Sequence, residues 1–318
     1  MTPDRGLYCF AVASAEFGDV PRALNILDAG PDAGFSGCNE WRILSNVSRI
    51  AALSDHPRCA GCVERAIRGS MDVPFGKPDN VIWAATALNT PIFLQVWKHV
   101  LRSGAYRRHE WTVKTEVDVV FSGSHLRSML VASGHAARAV LVRNRPDTVN
   151  FLQRFPAQRN KYGLVAGPIE ALTRKAVDAL GQHYSVCVET ARRNPKIGED
   201  WWIEKCAEDL RVVEFRLMSK LLVDKGSHTK ASRHKNPCDV GAAAYHPLTA
   251  PEDWSACYDQ LRMCTPFLGS TSCDRSGIHD CAHDDGSYAR WCCCRRRERE
   301  VAPPKRSLLA EAQAFALA

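Results

Sequence analysis

The sequence predicts an α/β protein with a mostly parallel central sheet and helices on both faces. Short, nearly continuous apolar runs such as Leu7-Tyr8-Cys9-Phe10-Ala11-Val12 read as strands covered on both sides, the type found in parallel sheets. Between such runs lie stripes of apolar residues at helical spacing, as an alternating α/β order requires. No internal repeat is visible.

Taken in order, Leu7–Val12 is a first strand, Pro21–Leu27 a short helix with proline in its first turn, and Trp41–Leu44 a second strand. Residues 54–79 carry Pro57, Pro74, Gly76 and Pro78 and read as a long irregular connection. Thr90-Pro91 is placed as N-cap and first position of a helix with Ile92, Phe93, Val96, Trp97, Val100 and Leu101 on one face, closed by Gly104. Trp111–Phe121 reads as one strand, followed by a helix capped at Ser122 or Ser124 that carries Leu126, Met129 and Leu130. Ile169, Leu172, Ala176, Val177 and Leu180 mark a further helix ending before Gly181. Glu199–Leu210 is another helix, and Val212–Phe215 a strand after it.

With 318 residues, 45% hydrophobic and 24% charged, the chain is long enough for a sizeable core. The expected main domain spans residues 1–266. Residues 267–318 form a Cys/Arg-rich tail, expected to be poorly ordered. The net charge of +7 is mild and is concentrated there, at Arg295, Arg296, Arg297, Arg299, Lys305 and Arg306. Such a cluster is a solvated tail or an anion-binding patch for nucleic acid or a membrane surface. No apolar run approaches the ~20 residues of a membrane helix, and no signal sequence or anchor is visible. The 14 cysteines instead suggest an oxidising compartment, the lumen of the secretory pathway (Golgi or ER), with the cytoplasm as the alternative. Asn46-Val47-Ser48 is a glycosylation acceptor pattern, though one short enough to recur by chance.

Cys59-Ala60-Gly61-Cys62 has half the spacing of a zinc ribbon without the second half, so a loop disulfide or free thiols are expected. Cys206, Cys238, Cys257 and Cys264 flank the candidate site segments and can bridge loops. Cys273, His279, Cys281, His283 and Cys292-Cys293-Cys294 resemble metal ligands but fit no standard finger. No Gly-x-Gly-x-x-Gly, phosphate loop or Gly-x-Ser-x-Gly is present, which leaves dinucleotide dehydrogenases, P-loop enzymes and serine hydrolases unsupported.

The most informative segment is Glu110-Trp111-Thr112-Val113-Lys114-Thr115-Glu116-Val117-Asp118-Val119-Val120-Phe121. On a strand, Glu116 and Asp118 project to the same side. Two carboxylates there are either solvated at an exposed edge or form a compact anionic site for a hard divalent cation bound to a diphosphate. The surrounding valines place the acids beside a core, where they need a cation or donors to offset desolvation. Lys114 lies on the same strand face, either pairing with a carboxylate or phosphate or exposed at the surface.

This strand end resembles the fringe-like and β-1,3-glycosyltransferase group, of GT-A type, in which a Trp-containing strand ends in Asp-x-Asp. Three further segments fit in order: Gly167-Pro168-Ile169-Glu170-Ala171-Leu172-Thr173-Arg174-Lys175-Ala176-Val177, then Gly198-Glu199-Asp200-Trp201-Trp202-Ile203, then Ala244-Tyr245-His246-Pro247. The similarity covers roughly Leu7 to Cys264, and Glu116 stands where the family usually has Asp. The resemblance implies a GT-A fold and a metal-dependent, inverting transfer of a hexose from a nucleotide-diphosphate sugar, UDP-linked by the family's habit. The acceptor would be a hydroxyl of a glycan or glycoprotein, and no nucleic-acid partner is expected. It implies Asp118 as a ligand of Mn²⁺ or Mg²⁺ and Glu116 as a contact to the ribose or the metal. Lys114 would be near the donor, His246 the late metal ligand and Asp200 the base, with Glu199 in support. Without the resemblance, Glu199 and Asp200 are ordinary acids of a helix N-terminus, and His246 is structural. Trp201 and Trp202 divide between core and a stacking surface for an acceptor sugar. Two other readings stay open: a catalytically inactive, sugar-binding relative, and a nucleic-acid-associated protein acting through the arginine tail.

Overall fold

The computed structural model describes residues 4–16, 18–76, 86–145, 164–224, 238 and 242–263. The chain separates into two compact units, Met1–Arg262 and Met263–Ala318, and of the second only Met263 is among the described residues. The arginine cluster and the distal Cys/His group therefore lie outside the described residues, as does Cys264.

Among the described residues, twelve strands run in chain order as β1 (Asp4–Val12), β2 (Glu40–Ser45), β3 (Val63–Arg65), β4 (Phe75–Gly76), β5 (Thr86–Ala87), β6 (His109–Thr115), β7 (Val120–Phe121), β8 (Val140–Arg143), β9 (Ile169–Thr173), β10 (Glu214–Leu217), β11 (Leu222–Asp224) and β12 (Ala244–His246). The described helices are α1 (Asp19–Ala29), α2 (Ala51–Ser54), α3 (Thr90–Ser103), α4 (Gly123–Ala132), α5 (Arg174–Gln182), α6 (Tyr184–Arg193), α7 (Glu199–Leu210) and α8 (Pro251–Met263).

Seven strands form the central sheet in the order β10-β8-β9-β6-β1-β2-β3, parallel throughout except for β9, which runs against β6 and β8. Tyr8, Phe10, Leu44, Leu141 and Leu172 face a core built with α3, α5, α6 and α7. The opposite face packs on α4 and the turn at Gly34–Gly37, and the Cys9–Cys38 disulfide ties β1 to the end of that turn. The mixed α/β sheet with helices on both faces is thus the predicted one. A second sheet, β11-β12-β7, is small and lies where the chain leaves β6.

Local chemistry explains the well-predicted elements. α3 ends at Gly104, whose φ of 68° is a left-handed geometry that favours glycine. Ser122 caps α4 by accepting from the His125 N–H. Other expectations need correction. The cap of α3 is Asn89, and the Thr90 hydroxyl instead donates to the Ile197 carbonyl at 2.8 Å. The stretch 54–79 contains β3, a parallel edge strand too short for periodicity to reveal, and β4. The strand after α7 is Glu214–Leu217.

Two corrections bear on the site. Ile169–Thr173 is not the start of a helix but the antiparallel strand β9, registered on Trp111–Thr115; the helix begins at Arg174, capped by Thr173. The apolar spacing suits both, since every residue of β9 is buried and a strand covered on both faces shows no alternation. Nor is Trp111–Phe121 one strand. β6 stops at Thr115, where the Glu116 N–H turns to the Pro168 carbonyl at 3.0 Å, and β7 then pairs with β12. The acids sit in the turn that moves the chain from one sheet to the other.

Cys59 pairs with Cys62, Cys187 with Cys206, and Cys238 with Cys257. Together with Cys9–Cys38, these four disulfides fit a secretory-pathway lumen. No described helix is long and apolar enough to cross a membrane.

Candidate metal and transfer site

The carboxyl ends of the parallel strands gather the predicted residues. Glu116 and Asp118 hang from the turn after β6, and His246 ends β12. Its Nε2 lies 3.4 Å from Glu116 and 3.6 Å from Asp118. The Leu248 N–H donates to the Asp118 carbonyl at 3.0 Å, which ties the turn to the segment after β12. His246 and Asp118 are less than one-fifth exposed, whereas Glu116 keeps 41% of its side-chain surface accessible. One ligand atom from each of the three falls within 4.8 Å of the others.

A third acid, Asp224 at the end of β11, meets Nδ1 of His246 at 3.0 Å. A carboxylate on the far ring nitrogen fixes the orientation of a ligating imidazole. Burial alone would lower the pKa of His246, but hydrogen bonds with Asp118, Asp224 and Glu116 overcome this and raise it to about 11. Burial would raise that of Glu116, while Lys114 and His246 bring it down to about 2. The site is therefore built to hold positive charge between its carboxylates. Two carboxylates and an imidazole, with no thiol, are a donor set that Mn²⁺ or Mg²⁺ accepts, the remaining positions falling to water and phosphate oxygens.

Beneath the acids lies a buried ionic cluster. Lys114 is 1% exposed, and its ammonium donates to the Gly167 carbonyl at 2.7 Å and meets Glu199 at 3.0 Å and Glu116 at 3.5 Å. Phe93 presents its ring 4.7 Å from the same nitrogen. Glu199 is equally buried, accepts from the Trp97 indole at 3.3 Å and donates its own N–H to Asn89. Glu170, in register with Lys114 across β6 and β9, is fully buried with neither carboxyl oxygen hydrogen-bonded among the described residues. Burial, then the neighbouring Glu199, pushes its pKa well up, whereas the three nearby carboxylates raise that of Lys114 against its own burial. Three carboxyl groups around one ammonium in a dry space compete for it, which disfavours ionisation of the most deeply buried of them.

Asp200 opens α7 beside Glu199. One carboxylate oxygen accepts from the Trp201 N–H at 2.8 Å, and the other faces Arg145 at 3.4 Å. Gly167 stands among all these groups. A Cβ placed on it would lie 3.5 Å from Asp200 Cβ, 3.6 Å from Glu116 and 3.6 Å from the Lys114 nitrogen. Lys114, Glu116 and Asp200 therefore converge on one glycine, and Asp118 and His246 join through Glu116. Trp201 and Trp202 are both buried, and the Trp202 indole donates to the Cys187 carbonyl, so neither forms an exposed stacking surface.

Sequence reasoning missed Asp224, Arg145 and the burial of Glu170. An acid ending the short apolar run Leu222-Val223-Asp224 was a usable signal for the first; Arg145 had none.

No protein-family model matches the sequence, and no curated protein is similar to it. Among solved structures, the chain is similar to the galactosyltransferase LgtC in complex with donor and acceptor sugar analogues. That match has 13% identity over 80% of this chain and 96% of the other, with a TM-score of 0.46. It is similar to a glycosyltransferase involved in glycosylation of the major capsid of PBCV-1, with 6% identity over 80% and 98% and a TM-score of 0.42. Mouse xyloside xylosyltransferase 1 shows 10% identity over 76% and 96%, with a TM-score of 0.39. None of these three is fringe-like by name, and at such identities and TM-scores the functional reading rests on the site itself.

Proposed function

We propose that the chain is a metal-dependent glycosyltransferase of GT-A type, transferring a hexose from a nucleotide-diphosphate sugar to an acceptor hydroxyl with inversion. One observation carries this reading: Glu116, Asp118 and His246 converge at the carboxyl edge of the sheet, with their ligand atoms within 4.8 Å. In open α/β sheets that edge is where ligands bind.

Asp118, Glu116 and His246 would hold Mn²⁺ or Mg²⁺, with Asp224 orienting the imidazole. The ion's chemistry when bound is to neutralise charge on the departing nucleoside diphosphate. Asp200 is the base of this reading: its carboxylate takes the proton of the acceptor hydroxyl as that oxygen attacks the anomeric carbon. Arg145 and the Trp201 N–H hold that carboxylate in one orientation. A uridine diphosphate donor and a glycan or glycoprotein acceptor follow from the motif resemblance, as does the fringe-like family itself.

A thermal-shift screen of nucleotide-sugars with and without Mn²⁺ tests the reading. One donor is expected to raise the Tm only when metal is present, and transfer or donor hydrolysis should stop in EDTA. Metal-dependent binding without turnover would instead identify the inactive, sugar-binding relative.

A further inference from the structure

Lys114 is a cation sealed beneath the site. Its ammonium hydrogen-bonds the Gly167 carbonyl at 2.7 Å and Glu116 at 3.5 Å, and it forms an ion pair with Glu199 at 3.0 Å. The Phe93 ring lies against the same nitrogen, and only 1% of the side chain is exposed. So enclosed, the ammonium is placed for carboxylates rather than for a phosphate, the other partner that its strand face allows.

The three acceptors belong to three different parts of the site. Glu116 is a metal-side carboxylate, Gly167 opens the approach to β9, and Glu199 is the immediate neighbour of Asp200 on α7. Glu199 is itself pinned to the α3 side by the Trp97 indole and by Asn89. Glu170 packs into the same buried space from the strand opposite. Burying such a pair costs several kcal/mol per ion, and apolar residues of similar volume would often serve stability as well. What an ion pair adds here is direction: one ammonium triangulates the two carboxylate arms.

We propose that Lys114 and Glu199, closed by Glu170, form a positioning unit that sets the Glu116–Asp118 arm and Asp200 at a fixed separation across Gly167. The proposal rests on the transferase reading above. It makes Lys114 and Glu199 positioning residues, acting through Glu116 and Asp200 rather than on substrate.

The test compares wild type with Lys114→Met/Glu199→Gln, in which both buried charges are removed together, and with Glu199→Gln alone. Three quantities are read: Tm, Mn²⁺ affinity by electron paramagnetic resonance titration without substrate, and kcat separately from KM with the donor found in the screen. The double variant is expected to keep a cooperative melt, to bind Mn²⁺ about 10- to 100-fold more weakly, and to lose kcat with little change in KM. Wild-type Mn²⁺ affinity and kcat in a folded double variant would overturn the positioning role and show a merely structural pair. If the double variant does not fold, the isosteric Glu199→Gln decides: a tenfold or larger loss of kcat at unchanged KM supports the unit, and unchanged kcat and Mn²⁺ affinity overturn it. Failure of wild type itself to bind Mn²⁺ would remove the transferase reading, and this proposal with it, before any variant is compared.

Discussion

The two ends of the central sheet carry ionisable clusters of opposite design. At the amino ends, Glu40 of β2 receives Arg108 at 2.6 Å, His109 at 3.0 Å and Arg42 at 3.1 Å, so one acid is surrounded by donors. At the carboxyl ends, Glu116, Asp118 and Asp224 surround a single imidazole. The first cluster is complete in itself and needs nothing from solution. The second has more carboxylates than cations among the described residues, where His246 and the sealed Lys114 are their partners. Acids alone do not mark a site; acids gathered without matching cations, at the edge where strands end, do.

Four experiments would break or sharpen that contrast. Asp118→Ala should reduce nucleotide-sugar turnover by more than about 10³-fold, since a lost metal site removes several kcal/mol of charge stabilisation. Its melting curve should stay within a few degrees of wild type, and full activity would end the metal-site reading. Asp200→Asn keeps the shape of the side chain and removes the base. The expected loss in kcat is about 10²-fold or more, with donor-induced thermal shifts retained. An unchanged kcat would assign Asp200 to the helix N-terminus alone.

The third experiment probes what supports the carboxyl end. Cys187–Cys206 joins α6 to α7, the helix bearing Glu199 and Asp200. Replacing both cysteines by serine should cost about 3 kcal/mol in denaturant unfolding, the size expected for a short closed loop, with activity preserved well below the transition. A stability equal to wild type would show that this bridge is dispensable. The smallest effect belongs to the amino end: Glu40→Gln should cost about 1 kcal/mol or less, with no effect on turnover. Burial would raise the pKa of Glu40, but hydrogen bonds from Arg108 and His109 prevail and lower it below 4.5. Its contribution is therefore full above pH about 4.5 and fades as pH falls through the lowered folded value. Unfolding free energies measured across that range should lose part of their acid slope in the variant; identical slopes would discard the assignment.

How much was legible depended on the range of the interaction concerned. The β1 run, the amphipathic α3 with Gly104 after it, and the Ser122 cap are local, and all were readable from neighbouring residues. β9 was misread because a buried strand followed by a helix shares its apolar spacing with one longer helix. The break after Thr115 was invisible because β7 owes its place to pairing with β12, more than a hundred residues away. Lys114 was left between a carboxylate or phosphate partner and the surface, because nothing nearby in sequence announces that Glu199 and Gly167 enclose it.

By itself the sequence determined the alternation of strands and helices, and it singled out Glu116, Asp118, Asp200 and His246 as residues worth explaining. Burial and capping are short-range demands, satisfied by residues within a few positions of one another. Which acids meet the histidine, which lysine is sealed beneath them and which aspartate reaches its Nδ1 were settled only by tertiary structure. Those facts depend on β6 lying between β1 and β9 and on β12 reaching back to β7. Electrostatic energy depends on distance in space, and the chain brings its four site segments within that distance only once the sheets have formed.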